Sequence, residues 1–152
     1  MDLHIPSARP TAISAAVLQD LFIKWQDIEQ PNLNGEVIVQ FVNRQEMEKI
    51  AQQHQGQPTA TDVLAFNYNP SLTSQLGEKI AGEVVICVDV AQDNAKKLNV
   101  AEKNEYATLF VHGLLHLSGR DHATDDQRSR FMEDTRVIME SGGLSTVSLW
   151  SD

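Results

Sequence analysis

Three of the five histidines in this 152-residue chain fall within one short segment, His112-Gly113-Leu114-Leu115-His116-Leu117-Ser118-Gly119-Arg120-Asp121-His122. His112 and His116 are four apart, so on a helix their imidazoles project from one face, one turn above the other, and can share a tetrahedral ion. Gly119 enters the left-handed conformation without steric penalty, which lets the chain turn back and bring His122 to the third corner. Three neutral imidazoles leave the fourth zinc position to water, the condition of a catalytic rather than a closed structural site. The only cysteine, Cys87, lies far off in an apolar run, so a closed thiolate site is excluded. Asp121 is the nearest carboxylate to the fourth position, but with His122 beside it, it reads as a support of the loop or helix end. One zinc per chain on His112, His116 and His122 is the reading these residues favour.

The spacing of the histidines and of Gly119 also matches the metzincin protease pattern H-E-x-x-H-x-x-G-x-x-H. Where those enzymes carry a glutamate as general base, this chain has Gly113. A peptidase of that mechanism is therefore disfavoured. The general base remains unassigned, with a zinc-bound hydroxide as one alternative.

The segment needs a frame to position it, and the sequence supplies one of alternating helices and strands. Ile13 to Gln30 places Ala16, Val17, Leu21, Phe22 and Trp25 on one helical face, and Pro31 stops it. Glu36 to Val42 reads as a strand buried on both faces. Asn43 and Glu46 form an approximate capping box opening a helix through about His54. Thr61 to Phe66 and Gly82 to Val88 read as strands, and Asp89 to Leu98 and Ala101 to Leu117 as helices. Thr124 and Gln127 make a second capping box for a last helix to about Ser141, closed by Gly142-Gly143. The expected architecture is an α/β (α+β) layer fold in one domain over 1–152, with a short polar tail from about 142. Strand order does not follow from these patterns.

Bulk composition fits a globular protein, with 41% hydrophobic and 22% charged residues. No apolar run approaches a membrane span and Met1-Asp2-Leu3-His4 lacks the start of a secretory signal, so no membrane partner and a cytoplasmic location are expected. A formal charge of −9 opposes diffuse attraction to nucleic acid, so a nucleic-acid substrate requires a local basic site. Cys87, within Val84-Val85-Ile86-Cys87-Val88, reads as a buried, unreactive thiol.

The segment resembles the signature H-G-x-L-H-L-x-G-x-D-H of the YbeY family of bacterial endoribonucleases, through His112, Gly113, Leu115, His116, Leu117, Gly119, Asp121 and His122. The chain is similar to that family also in Thr61-Asp62-Val63-Leu64-Ala65-Phe66 and Gly82-Glu83-Val84-Val85-Ile86, in matching order across about residues 35–140. The resemblance implies a small mixed, four-stranded sheet with helices around it and a zinc site on a helix and the loop after it. It also implies hydrolysis of RNA phosphodiesters in ribosomal RNA maturation and ribosome quality control, with ribosomal RNA and the small ribosomal subunit as partners.

One departure bears on activity. The family carries Tyr-Arg ahead of its T-D-V-L strand, and ungapped placement puts His54 and Gln55 there, with Gln57 and Pro58 at nearby lysine and aspartate positions. A glutamine cannot supply the fixed charge and five donors of a guanidinium. Weak cleavage is therefore expected unless another cation reaches the phosphate. Gln55 itself and Arg120, which replaces an aromatic residue common at that position of the family, are the candidate phosphate contacts; a solvated loop arginine is the plainer reading of Arg120. Arg44, Lys49 and Lys103 are further bases without an assigned role. Two other functions compete: a ribosome-assembly binding factor with little catalysis, and a zinc hydrolase of another substrate.

Overall fold

The computed structural model describes residues 1–55, 60–68 and 80–145, the side chain of Gln55 excepted. Among them, four strands and five helices follow in the order β1 (Asp2–His4), α1 (Ala15–Glu29), β2 (Glu36–Val42), α2 (Arg44–Gln55), β3 (Val63–Asn67), β4 (Ile80–Cys87), α3 (Val88–Leu98), α4 (Glu102–Leu117) and α5 (Asp125–Ser141). The sheet order is β1-β2-β4-β3. β1, β2 and β4 run parallel, and β3 pairs antiparallel with β4 at the edge, Leu64 opposite Val85 and Phe66 opposite Glu83.

The mixed four-stranded sheet agrees with the expected fold class. β1 carries only three residues and too little alternation to register as a strand by itself; it exists because Asp2, Leu3 and His4 pair with Glu36, Val37 and Ile38. The starts of α1, α2 and α5 carry side-chain caps. Ser14 accepts from Val17 N–H at 3.2 Å and starts α1 two residues later than the apolar periodicity suggests. Asn43 Oδ1 accepts from Glu46 N–H and Glu46 Oε1 accepts from Asn43 N–H, so the approximate capping box is a real one. Thr124 and Gln127 close the other box ahead of α5.

β4 shows how the sheet is covered on both faces. Val84 and Ile86 point into the large core, while Val85 and Cys87 point into a smaller one with Val42, Met47, Ala51 and Leu64 under α2. Cys87 is fully buried, as expected of an inert thiol. Through the large core runs α4, packed against α1, α3, α5, β3 and β4. Every residue from Glu105 to Leu115 of this helix is buried. At Gly113 it lies so near the sheet that an added Cβ would stand 2.4 Å from Val84 Cγ1. Among the described residues no helix is long and apolar enough to cross a membrane.

Candidate metal centre and its supporting loop

α4 delivers His112 and His116 from its last two turns, as the four-residue spacing requires. Gly119, at φ +84°, then turns the chain, with Gly119 N–H donating to the His116 carbonyl and Arg120 N–H to that of Leu115. His122 follows on the returning strand of this loop. The three imidazoles gather around one ring, that of Phe131 on α5, with centroid distances of 5.1 Å for His112, 4.9 Å for His116 and 5.4 Å for His122. Phe131 is itself fully buried. It belongs to the inner face of α5 with Thr135 and Ile138, and only that periodicity marks it in the sequence.

The rings of His116 and His122 lie 5.2 Å apart. Two imidazoles on one tetrahedral zinc, each with nitrogen at about 2.0–2.1 Å, have ring centres roughly 5 Å apart, so this pair has the spacing of shared ligands. Burial, with the fields of His116 and His122, pushes the His112 imidazole down to about 3. Burial also lowers His116, despite the opposing bond to Arg120. Both are held in the neutral form a metal takes. As the side chains are placed, no three His, Cys, Asp or Glu among the described residues converge closely enough to hold an ion. Donor chemistry and the His116–His122 spacing thus fit zinc, while ligation by all three requires a ring to reorient.

The tautomer of His116 is set by its loop. Its Nδ1 lies 3.1 Å from the Arg120 carbonyl oxygen, which can only accept, so Nδ1 carries the hydrogen and Nε2 keeps its lone pair. Asp121 is exposed and accepts His122 N–H through Oδ1 at 2.7 Å, which makes it a support of the loop backbone. Ser118 Oγ accepts from Trp25 Nε1 at 2.7 Å and donates to the Leu114 carbonyl. Arg120 is bound on both sides: Nη1 to Glu29 Oε1 and Oε2 at 2.9 and 3.1 Å, and Nη2 to Asp134 at 2.5 Å. It is therefore not a solvated loop arginine. Its guanidinium is engaged by two carboxylates, Glu29 and Asp134.

Asp62 lies at the entry to β3. Its Oδ1 accepts from Val63 N–H at 2.8 Å, which delays the start of β3 to Val63. Burial raises its own pKa, and after that of Asp121 its charge raises His116. Burial first, then the charge of Asp62, raises Glu105, buried on α4. His54 is exposed at the end of α2 with its ring 4.7 Å from that of Phe66. Gln55 ends α2 as well, but its side chain, Gln57 and Pro58 lie outside the described residues. Arg44 pairs with Asp93 at 2.8 Å, tying α2 to α3.

Fold and centre together define a small α/β protein whose buried central helix and following loop present three imidazoles beside a mixed sheet. A family model described as Endoribonuclease YbeY matches residues 7–143. Relatives of that same name include one from Colwellia psychrerythraea, 30% identical over 151 residues and covering 95% of this chain and 94% of its own length. Another, from Elusimicrobium minutum, is 37% identical over 108 residues, covering 70% of this chain and 74% of its own. A solution structure of a Thermotoga maritima protein shares the fold, with a TM-score of 0.56 and 23% identity over 92% of this chain and 89% of that one. The chain belongs to the YbeY family.

Proposed function

We propose that this protein is a zinc-dependent endoribonuclease that cleaves ribosomal RNA, in the cytoplasm and in association with the small ribosomal subunit, during maturation and quality control. The reading is supported by family membership and carried by one observation: three imidazoles around Phe131, one of them fixed by the Arg120 carbonyl with Nε2 left to coordinate. When bound, zinc supplies a nucleophile at neutral pH by lowering the pKa of its water to about 7, and it polarises a phosphoryl oxygen. His112 and His116, kept neutral by burial, and His122 would hold it.

The chain's own groups do the rest. Gly113 supplies no base, and a side chain there would meet Val84. Asp121 and Asp62 are the carboxylates whose charge bears on His116, Asp62 with its Oδ1 occupied by Val63 N–H. The apolar packing of Phe131 against the rings keeps water from their inner side.

The test is metal analysis and cleavage of single-stranded ribosomal RNA by purified protein, with and without a chelator. About one zinc per chain, with cleavage lost on chelation and both metal and cleavage lost in His116→Ala, is the expected result. Metal content unchanged by His116→Ala would remove this cage. Metal bound and ribosomal subunits bound without any RNA cleavage would turn the assignment to an assembly factor.

A further inference from the structure

We propose that Arg120 is a positioning residue of the metal centre: clamped between Glu29 of α1 and Asp134 of α5, it fixes the loop whose carbonyl orients His116, and it takes no part in holding RNA phosphate. The inference rests on the zinc reading above, but its geometry is that of the chain alone. Two neighbouring helices converge on one guanidinium, with three contacts of 2.5 to 3.1 Å. Side-chain exposure is 27% for Arg120 and only 12% for Glu29, so this pair is far less screened than an ordinary surface pair.

The clamp acts on the atom that matters. The Arg120 carbonyl accepts the Nδ1 hydrogen of His116, and a carbonyl partner fixes both the tautomer and the direction of Nε2. A second tie, Trp25 to Ser118, holds the start of the same loop against α1. Asp134 sits one turn beyond Phe131, so the helix that supplies the ring platform also grips the loop carrying His122. Three of the five guanidinium donors are spent on Glu29 and Asp134, and these two carboxylates already balance the charge that a phosphate would seek.

The experiment compares the full chain with Arg120→Met, Arg120→Lys, Glu29→Gln and the double variant Glu29→Gln/Arg120→Met. One readout is zinc affinity by competition with a chromophoric chelator. The other is the His116 tautomer, read from ring ¹⁵N shifts in metal-stripped protein. The parent is expected to show one tautomer with hydrogen on Nδ1. Arg120→Met should mix the tautomers and weaken zinc binding by about 10- to 100-fold, the usual effect of losing support behind a ligand. Arg120→Lys should recover part of both, and the double variant should be no worse than Arg120→Met alone, since both break one clamp.

Unfolding midpoints separate local from global loss, and Glu29→Gln, which keeps the arginine, covers the case in which Arg120→Met does not fold. An unchanged tautomer and unchanged zinc affinity in the folded variants would overturn the proposal. So would a loss confined to RNA affinity with a shallower salt dependence, which is the signature of a phosphate contact. Should the parent bind no zinc, the cage reading fails while the tautomer still reports on the clamp.

Discussion

Gly113 separates this centre from the proteases whose histidine spacing it shares. In the sequence it registers only as a missing glutamate; in the fold it is a tight approach of α4 to β4, where even a methyl group would overlap Val84. Gly113→Ala should therefore destabilise the protein by about 1–3 kcal/mol, the usual cost of an extra methyl in a packed interior, against a small gain from helix propensity. Urea unfolding measures it, and Val84→Ala in the same chain should recover part of the loss by making room. If Gly113→Ala were neutral while Val84→Ala alone cost its ordinary cavity penalty, the tight contact would not exist. The histidines themselves were legible because their spacing obeys helix geometry. Phe131, Glu29 and Asp134 were not, because each meets the centre only through the packing of α1 and α5 on α4.

The elements were legible wherever a local signal agreed with the packing. Thr124 and Gln127 announce α5, and both hydrogen bonds of the box form at 3.1 Å. β1 was missed because three residues hold no period, and the ends of β3 and β4 moved because pairing and the Asp62 side chain decide them. The helix that follows β4 begins directly after the strand, at Val88, without a side-chain cap on Cys87. Order in the sheet depends on crossovers no local pattern encodes. Thr124→Ala should cost about 1 kcal/mol by leaving the Gln127 N–H without its acceptor at the start of α5. Because the cap lies two residues beyond His122, amide exchange should quicken first in the opening turn of α5. Exchange rising equally across the whole helix would show that the box does not hold that end locally.

For the whole molecule, the buried acid Glu105 and the buried base His112 on the same helix set opposite limits on stability. Burial first, then the charge of Asp62, raises the Glu105 carboxyl to about 7, with an opposing bond to Asn94; its Oε2 makes no hydrogen bond among the described residues. His112 falls to about 3. The folded chain thus holds a proton on Glu105 that the unfolded chain, with a carboxyl near 4.5, has released, so stability declines as pH rises from about 4.5 through about 7. His112 does the reverse: the unfolded imidazole gains a proton below about 6.5 that the folded one refuses, and stability falls as pH drops toward 3. Glu105→Gln keeps shape and neutrality while removing the first limit. Relative to the parent, this variant should gain stability between pH 5 and pH 8, on the order of 1–3 kcal/mol after allowance for solvent relaxation. Urea unfolding at the two pH values, with a chelator present so that metal linkage does not enter, gives the difference directly. A difference between variant and parent that stays constant from pH 5 to 8 would mean that Glu105 ionises in the fold as it does in water.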